Sequence, residues 1–499
     1  MKRWSARRLQ RATLALAVAT AVASCAPSPP MVTPDPPPAI GREAALALEY
    51  PPLSFEAPTA RLEHVGPGVP VLFVEDHSLP LVDVFARFEG GYGLFGRERY
   101  AAATALPGLL RNGGTTTLAP DSVDRLLETY AAQANFGSGG ESAFAGLNSL
   151  RSTLDESMGL WIDMLRNPRF DPAQVEVWRG QEMDRVIRRK DDPRLLAYSE
   201  FNRLMYGDHP TGWEMGPEDL LPEAMAGDVL RQIHREIFCP EHLVLGVTGD
   251  VTWEEARPRL EAMLADWPPC PGELPAPPMP EIRHEPGVYL IPRDLEQSTI
   301  VMAHATEVRQ GNTPEYFASR IGHAILGNSG FSSRLVSRVR TERGYAYSAS
   351  SLWTTPLKAP GLVGAVTQTR GETTISAIQL ILEIMEEMRT APPSEEEVRV
   401  AVDQAVNGFV FNFQDPAQVV SRQMLYLTRD MGADWLERYL EGIQDVLPDD
   451  VRDVFANHLR PEEMTILILG DPDTFELPPE VLGAVRIWEV EGMTEGSGG

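Results

Sequence analysis

The 499-residue sequence predicts an α+β fold made of two tandem copies of one domain. Two observations carry that expectation. Strand-like and helix-like stretches alternate from about residue 60, and their order repeats at a nearly constant offset. Pro240-Glu241-His242 leads into LVLGVTGD ending at Asp250, and Pro461-Glu462-Glu463 leads into MTILILGD ending at Asp471, 221 residues further on. Asp191-Asp192-Pro193 closes one long helical stretch and Gln414-Asp415-Pro416 closes its counterpart, with the prolines 223 residues apart. At the front of each copy, VPVLFVEDHSLPLVDVFARFE parallels GVYLIPRDLEQSTIVMAHATE.

Composition narrows the function classes. With 43% hydrophobic and 23% charged residues the chain suits a globular body, and a net charge of −27 argues against nucleic acid or anionic lipid as a partner. The first 25 residues read as a targeting segment. Lys2, Arg3, Arg7, Arg8 and Arg11 form a positive head, and Ala12 to Ala23 is an apolar run too short to stay as a spanning helix. Val22-Ala23-Ser24-Cys25 looks like a bacterial lipobox, so Cys25 is the expected lipidation site and mature first residue. Residues 26–58 follow as a proline-rich tether, opening APSPPMVTPDPPPAI. The expectation is a periplasmic protein held to a membrane by its lipid, with the outer membrane the expected one.

The first copy spans 59–268. Val71–Val74 and Val82–Phe88 read as strands, the second alternating as a half-buried antiparallel strand does. MLRNPRFDPAQVEVWRGQ reads as a helix pair broken by a proline turn. Gly137, Gly139 and Gly140 in NFGSGGES lack the lysine of a phosphate loop and read as a loop beside an edge strand. No GxSxG nucleophile elbow occurs. Residues 267–284 hold seven prolines, which places a linker at 269–285. Cys239 and Cys270 match no metal spacing, and pairing or simple burial are both open. The second copy spans 286–488 and repeats the helix pair as MEEMRTAPPSEEEVRVAV, and 489–499 reads as a disordered acidic, glycine-rich tail.

One stretch of the second copy concentrates chemistry. Gly330 to Ser350, GFSSRLVSRVRTERGYAYSAS, reads as a loop, a basic amphipathic helix and a strand. Ser332 and Ser333 are placed to cap the helix, Leu335 and Val339 share one face, and Gly344 ends it. That leaves Arg340 on the last turn and Tyr347 just inside the strand, a cation and a phenol suited to a polarised carbonyl.

This segment, together with LLRNGGT, LRNPRFDP, DDP and the two GD strand ends, resembles the insulinase-like (pitrilysin, M16) metallopeptidase family. The resemblance covers most of 60–480. It implies two-layer domains, each an antiparallel sheet with helices packed on it, forming half of a clamshell that takes unfolded peptides. It also implies that Arg340 and Tyr347 are the catalytic pair facing a zinc-bound water. Active members carry HxxEH on a first-domain helix and a distant Glu. The matching positions here are Thr104, Ala105, Leu106, Pro107 and Gly108, with Asp184 near the fourth position and Glu182 close by. A proline inside that helix costs about 3 kcal/mol unless the helix bends or stops, so its regularity is expected to be lost. No other histidine forms HxxxH; His234 with Glu241-His242 is the nearest cluster, and His323, on the helix answering the metal helix, suits packing. The implied function is the non-zinc subunit of a heterodimeric peptidase. It would bind no cofactor itself, with zinc in an HxxEH-bearing partner subunit. The alternative is a catalytically inactive scaffold or peptide-binding protein.

Overall fold

A computed structural model describes residues 58–282, 285–432 and 434–490. Cys25, the leader, most of the tether and residues 491–499 lie outside the described residues. None of the described helices is long and apolar enough to cross a membrane.

The first domain runs β1 (Arg61–Val65), β2 (Val69–Glu75), β3 (Leu81–Glu89), α1 (Arg97–Asn112), α2 (Pro120–Tyr130), β4 (Gln133–Ser138), β5 (Ser142–Leu150), α3 (Leu154–Arg166), α4 (Pro172–Arg189), α5 (Pro193–Tyr206), α6 (Gly227–Ile237), β6 (Leu243–Gly249) and α7 (Trp253–Leu264). The second runs β7 (Gly287–Pro292), β8 (Gln297–Thr306), α8 (Pro314–His323), β9 (Ala346–Trp353), β10 (Gly361–Arg370), α9 (Thr374–Thr390), α10 (Glu395–Phe409), α11 (Pro416–Thr428), α12 (Trp435–Gln444), α13 (Pro448–His458), β11 (Thr465–Gly470) and β12 (Val485–Ile487). Each domain is one six-stranded sheet with helices on it, ordered β1-β2-β6-β3-β5-β4 and β12-β7-β11-β8-β10-β9. Most pairings are antiparallel; β2 with β6, β7 with β11 and β12 with β7 are parallel. NFGSGGES forms the hairpin from edge strand β4 into β5.

Strand alternation decides what each face meets. In β2, Val71 and Phe73 face the first domain's own helices, whereas Leu72 faces the other way. In β8, Ile300 and Met302 face inward while Val301 and Ala303 face outward. The outward faces are covered by exchange. Helix α5 of the first domain lays Leu196, Ala197, Phe201 and Met205 on the outward face of the second sheet. Helix α11 of the second domain lays Val420 and Met424 on Leu72 and Val244 of the first. Burying each such side chain contributes about 1.5–3 kcal/mol.

The sequence expectation that DDP and QDP close helices is corrected here. They open the two exchanged helices: α4 has already ended at Arg189. Asp192 accepts the amides of Arg194 and Leu195 at 2.9 and 3.0 Å, and Asp415 accepts that of Gln418 at 2.8 Å. Pro193 and Pro416 then occupy first-turn positions, where a missing N–H costs no bond. Packing also runs past Trp488, whose indole N–H donates to Glu200 at 2.9 Å, to the buried Val490.

Cys239 and Cys270 form a disulfide, fastening the proline-rich linker to the start of β6. Glu241 accepts the amide of Cys270 at 2.9 Å, and His242 Nδ1 lies 3.3 and 3.6 Å from the two sulfurs. Cys239, His242 and Cys270 make a cluster of ligating residue types, but both sulfurs are committed to each other. His234 is not part of it. That ring is buried, donates to the Leu165 carbonyl at 2.8 Å, and is pushed down to about 4 by burial.

Candidate functional site

The Arg340 segment starts where α8 loses its regular winding. Residues Ala324–Asn328 and Val336–Glu342 are π-helical, with amides reaching five residues back, as Ser329 does to Ala324 at 3.2 Å and Arg343 to Arg338 at 3.1 Å. The simple amphipathic helix expected from the sequence is thus corrected to a π-wound one. π-turns are rare and concentrate at functional sites. The serines do not cap it either. Ser332 donates back to the Ser329 carbonyl at 3.0 Å and Ser333 to that of Gly330 at 2.7 Å, closing the preceding turn. Gly344 does end the segment, at φ +65°. Gly327 is required by proximity, since a Cβ there would sit 2.2 Å from the Ser351 amide on β9.

Four side chains fix the segment from below. Leu335 and Val339 are fully buried, as their spacing predicts. Arg334 pairs with Glu397 of α10 at 2.7 Å, and Arg338 pairs with Glu387 and Glu383 of α9. Arg340 differs from both. Its guanidinium carbon lies 5.2 Å from the Phe331 ring centre and 5.4 Å from that of Tyr347. No carboxylate among the described residues pairs with it. Phe331 and Tyr347 are themselves 75% and 76% exposed, a large outlay of aromatic surface for a packing role.

Tyr347 points outward because the strand is irregular there. In the register of β9 on β10, Ser348 opposes Gln368 and Ala346 opposes Thr369, which leaves Tyr347 as the extra residue of a bulge. A bulge re-aims one side chain without disturbing its neighbours, so Ala346 and Ala349 stay buried. The structure therefore brings Arg340 and Tyr347 together on an open face. Phe331, given no role from the sequence, completes the clamp; the available signal was a Phe at the head of FSSRL.

The positions matching HxxEH lie on α1. Thr104 and Gly108 are half-buried and Pro107 is buried. The expected loss of helical regularity is corrected: α1 continues through Pro107 to Asn112. The Thr104 hydroxyl donates to the Tyr100 carbonyl one turn back at 2.8 Å. A Cβ at position 108 would sit 3.4 Å from Cδ1 of Trp178, so an indole from α4 fills the space facing Gly108. Among the five matching positions the backbone-bonded Thr104 hydroxyl is the one side-chain oxygen, beside a proline, a glycine and that indole, so these residues do not fit a zinc ion. Asp184 is exposed on α4, and Glu182 pairs with Arg185 at 2.7 Å. On the answering helix, His323 is buried, donates from Nε2 to the Ser351 carbonyl at 3.2 Å, and is pushed down to about 4 by burial.

A family model described as "Peptidase M16 inactive domain" matches residues 225–405. The "Non-peptidase homolog YmxG" of Helicobacter pylori is 21% identical over 404 residues, covering 81% of this chain and 92% of that one. "Uncharacterized zinc protease SCO5738" of Streptomyces coelicolor is 26% identical over 326 residues, covering 63% of this chain and 69% of its own. Among solved structures, a peptidase M16 inactive domain from Pseudomonas fluorescens superposes with a TM-score of 0.73 at 22% identity, over 83% of this chain and 98% of that chain.

Proposed function

We propose that this chain, which is similar to the peptidase M16 inactive domain over residues 225–405 and to a non-peptidase homolog along most of its length, is the non-zinc subunit of a two-chain peptidase. In this proposal an HxxEH-bearing partner supplies the metal, and the substrate is an unfolded peptide. The observation that carries the proposal is the Arg340 guanidinium, held by Phe331 and Tyr347 on an exposed face with no carboxylate among the described residues paired to it.

That arrangement has a definite chemical capacity. A guanidinium stacked on rings keeps its N–H donors free, and Tyr347 adds a hydroxyl beside it. Both can donate to a peptide carbonyl oxygen as it becomes negative on attack by water. Donors fixed in advance lower that barrier because nothing reorganises at the moment of reaction. Neither residue is a base, so proton abstraction and water activation fall to the partner. The leader and tether add the rest of the proposal: a periplasmic chain anchored through lipid on Cys25.

The test is hydrolysis by the reconstituted pair. Tyr347→Phe should leave the complex assembled while kcat falls by about 10² to 10³, the usual cost of losing one such donor. A rate equal to the parent's would overturn the catalytic role and favour a scaffold or peptide-holding protein, a reading that the inactive first-domain helix also suits.

A further inference from the structure

The second domain contains a cavity of about 440 Å³ that the Arg340–Tyr347 pair does not use. It opens beside α8, the helix answering the first domain's metal helix, and is also lined from α10, α11 and α12. Its size is that of a small-ligand site.

The lining is selective. One wall is aromatic: Tyr316 lies 6.1 Å from Trp435 between ring centres, and Phe409 stacks on Tyr439 at 6.0 Å. Two guanidiniums, those of Arg320 and Arg422, also line it. No Asp or Glu does, in a chain with 71 Asp and Glu against 44 Lys and Arg. Arg422 is held by the Asn412 amide oxygen and lies 3.5 Å from the Tyr426 hydroxyl, both neutral. Among the described residues, the half-buried Arg320 side chain has no hydrogen-bond or ion-pair partner at all. Nearly every other partly buried arginine here meets a carboxylate or a carbonyl, as Arg334 and Arg338 do. Aromatic walls accept either an apolar group or a cation; two uncompensated guanidiniums exclude the cation and select an anion.

We propose that this cavity binds an apolar or aromatic carboxylic acid, with the carboxylate on Arg320 and Arg422 and the side chain against Tyr316, Trp435 and Tyr439. The C-terminal residue of a peptide presents this chemistry. Naming it as the natural source rests on the peptidase proposal, whereas the ligand class rests on the lining alone. Ser329, which lines the cavity, stands two residues before Phe331, which touches Arg340.

The experiment is calorimetric titration of the purified chain, without any partner, with N-acetyl-phenylalanine, its C-terminal amide and inorganic phosphate. The acid should bind at one site, and the amide should bind about tenfold more weakly or worse. Arg320→Gln should weaken the acid by a similar factor with an unchanged melting temperature, since that side chain supports nothing else. Arg422→Gln should act likewise, and Arg320→Gln decides the matter if that second variant fails to fold. Equal binding of acid and amide, phosphate binding as tight as the acid, no binding, or insensitivity to Arg320→Gln would each overturn the proposal. The peptidase proposal would survive any of these, because it is read in the reconstituted pair through Tyr347.

Discussion

Arg334 reaches 63 residues along the chain to place its Nε 2.7 Å from Oε1 of Glu397, and the same carboxylate accepts the Ser394 amide at 2.9 Å. Glu397 thus ties the Arg340 segment to α10 and closes that helix's capping box. Burial alone would push its carboxyl up, yet the bonds from Arg334 and Ser394 win and bring it down to about 2. A depressed carboxylate stabilises the fold fully above its ordinary value of 4.5 and loses that contribution as pH falls towards 2. Glu397→Gln should therefore cost about 1 kcal/mol in urea unfolding at pH 7. The gap to the parent should start to close below about pH 4.5.

Gly246 on β6 lies against the exchanged α11. A Cβ there would lie 2.4 Å from Val420 Cγ1 and 2.5 Å from the Met424 sulfur. Gly246→Val should destabilise by about 1–3 kcal/mol through overpacking, measured as a drop in melting temperature. Val420→Ala in the same background should recover part of the loss.

Gly108 gives the opposite sign. The 3.4 Å separation from Trp178 is ordinary van der Waals contact, and the residue is helical. Gly108→Ala should raise stability by about 0.5–1 kcal/mol. A fall would show that the indole needs the bare backbone.

The Cys239–Cys270 bridge closes a loop of 31 residues. Cys270→Ser should cost about 2–4 kcal/mol in unfolding free energy under oxidising conditions. With reductant present, parent and variant should unfold alike.

Membrane attachment is read separately. Cys25→Ser should move the protein from the membrane fraction to the soluble periplasmic fraction, whereas a retained membrane signal would remove the lipid-anchor proposal.

The sequence disclosed the duplication because strand endings and Asp-Pro pairs have local physical causes. Asp caps a helix and Pro starts one wherever the chain is, so both marks survive in each copy. In the sequence they read as helix ends, because DDP follows a helical run with almost no gap. The exchange of α5 and α11 was not legible at all. Leu196, Phe201 and Met205 announce an apolar face, and nothing in such a stripe says whose sheet will cover it. Arg340 and Tyr347 could be named because their neighbours resemble a family pattern. The bulge that turns Tyr347 out, the π-winding that sets Arg340 against it and the partnerless Arg320 depend on hydrogen bonds and distant residues, which leave no periodic trace in side-chain order. The sequence leaves the pairing of Cys239 and Cys270 open for the same reason, since a proline-rich stretch fixes no path.

Each sheet has one greasy side that its own half of the chain cannot shield. Expressed alone, either half would present that side to water and clump, so the duplicated gene product should not survive being cut at its linker. Heating the intact chain should accordingly give a single calorimetric peak, with both halves melting together rather than one after the other.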